Sequence, residues 1–174
     1  MVLMFYPENS KMVKQQVASP NKEQIFQMEM GWWVFTAIVV LLILLPINIW
    51  IEGFPFYFLN TVYIVTFITL TRHLFLLKYT YLAKRESLKV IVFFLCLPLL
   101  FYVIQELNLF QTFLDENGPE AMVGSTLDIS QRSAVAKYIH SEIFLFGVGS
   151  IISGVLLPLR LLLSVWRGRN GGGV

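Results

Sequence analysis

Glu106, His140 and Glu142 are the side chains whose types fit acid–base chemistry, two carboxyls and an imidazole near one boundary of long apolar runs, with Ser141 beside them. Such groups move protons when they lie within hydrogen-bond reach of a reacting atom, and with a third ligand they hold a metal. The spacing argues against both uses. His140 and Glu142 point in different directions from a helix. The only other histidine, His73, falls at the opposite boundary and cannot share an ion with His140. Ser141 sits in no nucleophile motif. The trio therefore reads as an outer polar collar, and no catalytic, cofactor or metal residue is assigned.

At the other boundary Arg72, His73 and Arg160 can extend along their own helices to headgroup phosphates. Thr66, Thr69 and His73 form a helical stripe that fits hydrogen bonding between helices. No ionisable group falls mid-span, where a proton or ion pathway normally places one. The lone Cys96 lies in an apolar run and reads as a buried, inert thiol. There is no glycine-rich phosphate loop, no pair of histidines suited to haem, and no internal repeat of the kind transporters use.

Four apolar runs carry these residues, at 31–51, 54–77, 90–109 and 143–166. Each is about the ~20 residues that a helix needs to cross a bilayer core. Because lipid cannot hydrogen-bond a backbone, such runs form helices that satisfy their own peptide groups. Hydrophobic residues are 56% of the chain and charged ones 14%, against roughly a quarter charged in soluble domains. The expected fold is an all-α integral membrane protein, an antiparallel four-transmembrane-helix bundle with one outer loop and helical extension. A net charge of +2 is too small to argue for nucleic acid, and no basic run suggests such a partner, so none is expected.

Lysines and arginines assort by side. Lys11, Lys14 and Lys22 precede the first run, Arg72, Lys78, Lys84, Arg85 and Lys89 surround the second connection, and Arg160, Arg167 and Arg169 close the fourth. Only Arg132 and Lys137 fall opposite. The positive-inside rule then places both termini and the 79–89 loop in the cytoplasm. Glu52 and most other acidic residues fall outside, and aromatic belts agree, with Trp32, Trp33, Tyr79, Tyr81 and Trp166 inside and Trp50, Tyr57 and Tyr138 outside. The expected division is a cytoplasmic segment 1–30, a transmembrane domain 31–167 and a flexible glycine-rich tail 168–174. The first 30 residues lack a signal-peptide pattern, so the first helix is expected to be a retained anchor.

The outer segment 105–141 is the one sizeable region expected outside the bilayer, with turn formers at 115–119. Ser125 and Asp128 have capping spacing and Ser130 offers a second cap, so a helix is expected to begin here and run unbroken into the fourth span. Within that span Gly147, Ser150 and Gly154 form one stripe and Gly149 and Ser153 another. Small residues let backbones approach, which puts this helix between neighbours on both sides. Pro46, Pro98 and Pro158 predict bends in three spans.

Together these features suggest a non-enzymatic, accessory inner-membrane subunit embedded in the lipid bilayer. Helix four and the outer segment would contact other membrane subunits or a second copy of the chain, without a cofactor. The same size and topology also suit an immunity-type membrane protein that neutralises a pore-forming toxin, a small transporter or channel subunit, or an enzyme on lipid or cell-wall substrates.

Overall fold

The computed structural model describes residues 22–51, 53–123 and 127–170. The expected segment through residue 21, Glu52, the Ser125 cap and the 171–174 part of the tail lie outside the described residues. All regular structure among the described residues is helical: α1 Lys22–Trp50, α2 Tyr57–Leu76, α3 Glu86–Asn117 and α4 Ile129–Asn170, with short 3-10 turns at Leu77–Tyr79, Tyr81–Lys84 and Pro119–Val123. All four long helices are long and apolar enough to cross a membrane.

α1, α3 and α4 extend beyond the apolar runs at 31–51, 90–109 and 143–166, whereas α2 falls within 54–77. α1 already includes Lys22, the first of the described residues, its opening stretch is made of good helix formers, and Ile25 is buried. Gly53 at φ 71° turns the chain between α1 and α2, and the Asn60 amide bonding Phe56 O at 2.9 Å opens α2. Gly118 ends α3 at φ 77°, its amide returning to Leu114 O at 2.8 Å. A side chain with a Cβ is strained at such angles.

α4 starts differently from the capping pattern in the sequence. Asp128 Oδ1 accepts from the Ile129 amide at 2.9 Å, while the Ser130 hydroxyl donates to Asp128 Oδ2 at 3.3 Å. Asp128 is thus the capping group, and Ser130 braces it from within the first turn. From there α4 runs unbroken through Pro158 to Asn170. Its first turns lie under the Pro119–Val123 turn, which buries Met122 and Val123.

α4 packs against both α2 and α3, whereas α1 leans mainly on α2. The larger core gathers Leu44 and Ile47 of α1, Tyr63 and Ile64 of α2, Val103 and Phe110 of α3, and Ile139 and Ile143 of α4. A second core, around Leu70, Leu77, Cys96, Leu157 and Leu161, closes the other end. Many large apolar residues face outward instead, including Leu41, Leu42, Phe58, Phe94, Phe101 and Leu145. Surfaces of this kind suit a lipid surrounding, in which van der Waals packing rather than water exclusion holds helices together.

Candidate functional site

The small residues of α4 serve contacts within the chain. A Cβ on Gly147 would meet Leu107 of α3 at 3.0 Å and Tyr63 of α2 at 3.3 Å; on Gly154 it would meet Leu100 of α3 at 3.1 Å; on Gly149 it would meet the Phe67 ring of α2 at 2.6 Å. Ser150 donates to Tyr63 O at 3.1 Å, and Ser153 shares a hydrogen bond with Thr71 at 3.0 Å. The two stripes do not sort cleanly onto two neighbours. Gly149 and Ser153 face α2, while Gly147 and Gly154 sit where α2 and α3 both approach.

Glu106, His140 and Glu142 are not brought to one point. Glu142, 7% exposed, accepts a hydrogen bond on Oε1 from Nδ2 of the fully buried Asn60 across the α2–α4 seam. Asn60 Oδ1 and Glu142 Oε2 are buried and have no hydrogen-bond partner among the described residues. His140 instead stacks on Phe110 (6.4 Å between centroids, 28° between planes) and lies 5.6 Å from Phe144. Phe110 also meets Phe56 edge-on at 5.1 Å, which extends this aromatic group to the start of α2. Glu106 is half-buried on α3. Among the described residues no group of three His, Cys, Asp or Glu is placed to hold a metal.

Asn60 is the partner that the sequence reading missed. Its signal was a lone amide in an apolar run, since a carboxamide in such surroundings needs a hydrogen-bonding partner.

The opposite end holds a second polar pair. Arg72 of α2 turns inward rather than out to headgroups, bonding Glu29 of α1 at 2.5 Å with its guanidinium 5.8 Å from the Trp32 ring centroid. Both side chains are largely covered, at 6% and 18% exposure. A cavity of about 250 Å³ opens beside them, lined by Trp33, Thr36, Thr69, His73 and Tyr81. His73 Nδ1 bonds Thr69 O of its own helix at 2.7 Å. The hydrogen bond that joins α2 to α4 on this stretch comes from Thr71, not from the expected threonine–histidine stripe.

Lys89, expected at the loop boundary, is buried in α3 with Nζ donating to Ser164 of α4 at 3.1 Å. Arg160 is exposed on α4. Glu29 was missed because it precedes the first apolar run. Its signal was the charge of Arg72 inside the second run, which calls for a counter-charge when buried.

A third feature lies beside the first turns of α4. Trp50, Leu127, Gln131, Ala134, Val135 and Tyr138 line an apolar groove of about 390 Å³. Trp50 and Tyr138 meet edge-to-face across its end at 6.3 Å.

No protein-family model, curated protein or solved structure matches this chain.

Proposed function

We propose that this chain is a non-catalytic subunit of a larger membrane assembly, whose outer extension docks onto a partner membrane protein. The observation that carries the reading is the groove between Trp50 and the first turns of α4. In the proposed register the bilayer core begins near residue 143 of α4, so most of the groove stands above it. Ile129, 78% exposed, adds another apolar side chain on the same extension. Apolar surface presented to water favours a protein partner, and a groove along a helix suits the apolar face of a partner helix.

The rest of the proposal concerns placement. Asn60 meets Glu142 and Thr71 meets Ser153, so α2 and α4 run parallel, both descending in the proposed register. Lys89 meets Ser164, Leu100 approaches Gly154 and Leu107 approaches Gly147, so α3 runs opposite to α4 and ascends. Glu29 meets Arg72 and Trp50 meets Tyr138, so α1 ascends as well. These pairings support an antiparallel up-and-down bundle. The basic residues support a cytoplasmic location for both termini, with residues 1–30 and 168–174 flanking the transmembrane domain of an inner-membrane protein.

Because α2 and α3 occupy the small residues of α4, partner helices would meet α4 through the groove and its exposed Leu145, Ile152, Leu159 and Leu163. Photocrosslinking from a reactive side chain at Ala134, in native membranes, tests the docking reading. A discrete adduct with one other membrane protein, lost when Val135→Glu is added, is expected. An adduct with a second copy of the chain would make the groove a self-association surface, and labelling of lipid alone would overturn the proposal.

A further inference from the structure

The pairing of Asn60 with Glu142 leaves an imbalance that one atom resolves. Asn60 Nδ2 donates to Glu142 Oε1, and the two oxygens left over, Asn60 Oδ1 and Glu142 Oε2, are both acceptors when the carboxyl is ionised. Two acceptors cannot satisfy each other. Both residues are more than nine-tenths buried, where an unmade hydrogen bond is costly and an uncompensated charge more so.

We infer that Asn60 and Glu142 form a proton-binding site, in which the Glu142 carboxyl is neutral and donates from Oε2 to Asn60 Oδ1 while Asn60 Nδ2 donates to Glu142 Oε1. A carboxylic acid and a primary amide are complementary in this way, each giving one donor and one acceptor. One proton converts two orphaned oxygens into a second hydrogen bond across the α2–α4 seam.

The neighbours favour a proton over the alternatives. Tyr138, one turn away on α4, and Glu106 of α3, whose field reaches Tyr63 beside Asn60, are neutral or anionic groups and add no positive charge. Among the described residues no Lys or Arg pairs with Glu142, since the charge pair they contain joins Arg72 to Glu29 at the other end. The His140 ring is engaged by Phe110 and Phe144. Hard metal cations take about six or more oxygen ligands, and the seam offers two free ones. The site follows from the geometry alone and does not depend on a partner protein.

Infrared spectroscopy of the full chain in lipid near neutral pH tests this directly. The wild type should show the carbonyl stretch of a protonated carboxylic acid, and Glu142→Gln should remove that band. Asn60→Leu keeps the acid but deletes its acceptor, so the band should remain and move to higher frequency. Absence of a protonated-acid band from the wild type overturns the inference without recourse to any variant, as does a band that survives Glu142→Gln.

A stability series adds an independent reading. Glutamine supplies the second donor permanently, so Glu142→Gln should retain both hydrogen bonds at every pH. A glutamate in the unfolded chain ionises near ~4.3, so from about pH 5 up to the pH at which the folded carboxyl itself ionises, the folded state holds a proton that the unfolded state has lost. Wild-type stability should then fall as pH rises across that window. The Glu142→Gln variant should lack that part of the slope, and equal slopes for the two proteins would contradict the site.

Discussion

Gly149→Ala is the sharpest perturbation of the helix seam, because the added methyl carbon would stand 2.6 Å and 2.7 Å from two atoms of the Phe67 ring. Ordinary carbon contacts are about 3.5–4.0 Å, so the ring or the helix must withdraw by about 1 Å. Phe67 is not free to swing, since it lies edge-on to Phe146 at 5.6 Å. Overpacking of this kind costs about 1–3 kcal/mol, against a gain of about 1 kcal/mol for replacing a helical glycine by alanine. The matched control is Gly31→Ala in α1, where the new Cβ meets nothing within 4 Å among the described residues and only the helix gain applies. The two variants should therefore differ by about 2 kcal/mol in reversible unfolding in mixed micelles, with Gly149→Ala the less stable. Phe67→Leu added to Gly149→Ala should recover much of the loss. Equal stability of the two alanine variants, or no recovery in the double variant, would refute the close approach of α4 to α2.

Leucine at Gly154 or Ser150 should disrupt the fold more than a polar exchange at exposed Leu145, read as loss of monodisperse protein in detergent, because both small residues face neighbouring helices. Arg72→Met should cost about 3–5 kcal/mol by leaving Glu29 covered and unpaired, and Glu29→Met with Arg72→Met should recover a large part in the same unfolding assay. His140→Ala and Glu106→Gln should leave partner binding within about twofold in quantitative co-purification, since neither side chain lines the groove. A cysteine at Asn117 should react with an impermeant thiol reagent from outside the cell and one at Arg85 should not, with Cys96 buried and silent.

The helices and their order were legible because apolar runs of membrane length leave the backbone little choice. The small residues of α4 were legible as packing positions for a similar reason: glycine and serine in an apolar helix mark where another backbone comes close. Two kinds of feature were not. The part of α1 ahead of residue 31 was hidden because residues 22–30 mix charge and apolar character, and Ile25 becomes buried only once α1 meets its neighbours. The polar pairs were hidden because Asn60 and Glu142 are 82 residues apart, and a side chain's type does not name its partner. The turn at Pro119–Val123 taught a related lesson. It follows the turn formers at 115–119 in the segment expected outside the bilayer, yet Met122 and Val123 are buried, so removing it would strip the core as well as any outer surface.

The proposed docking role requires that the groove along the first turns of α4 carry the partner. It is tested most directly by purifying the chain from native membranes in mild detergent and weighing the intact complex, beside an Ala134→Arg variant. The wild-type chain should co-purify in fixed stoichiometry with one other membrane protein. The variant should lose that protein while keeping its helical content and yield. A wild-type chain that emerges alone, or a complex whose composition is unchanged by arginine in the groove, would contradict it.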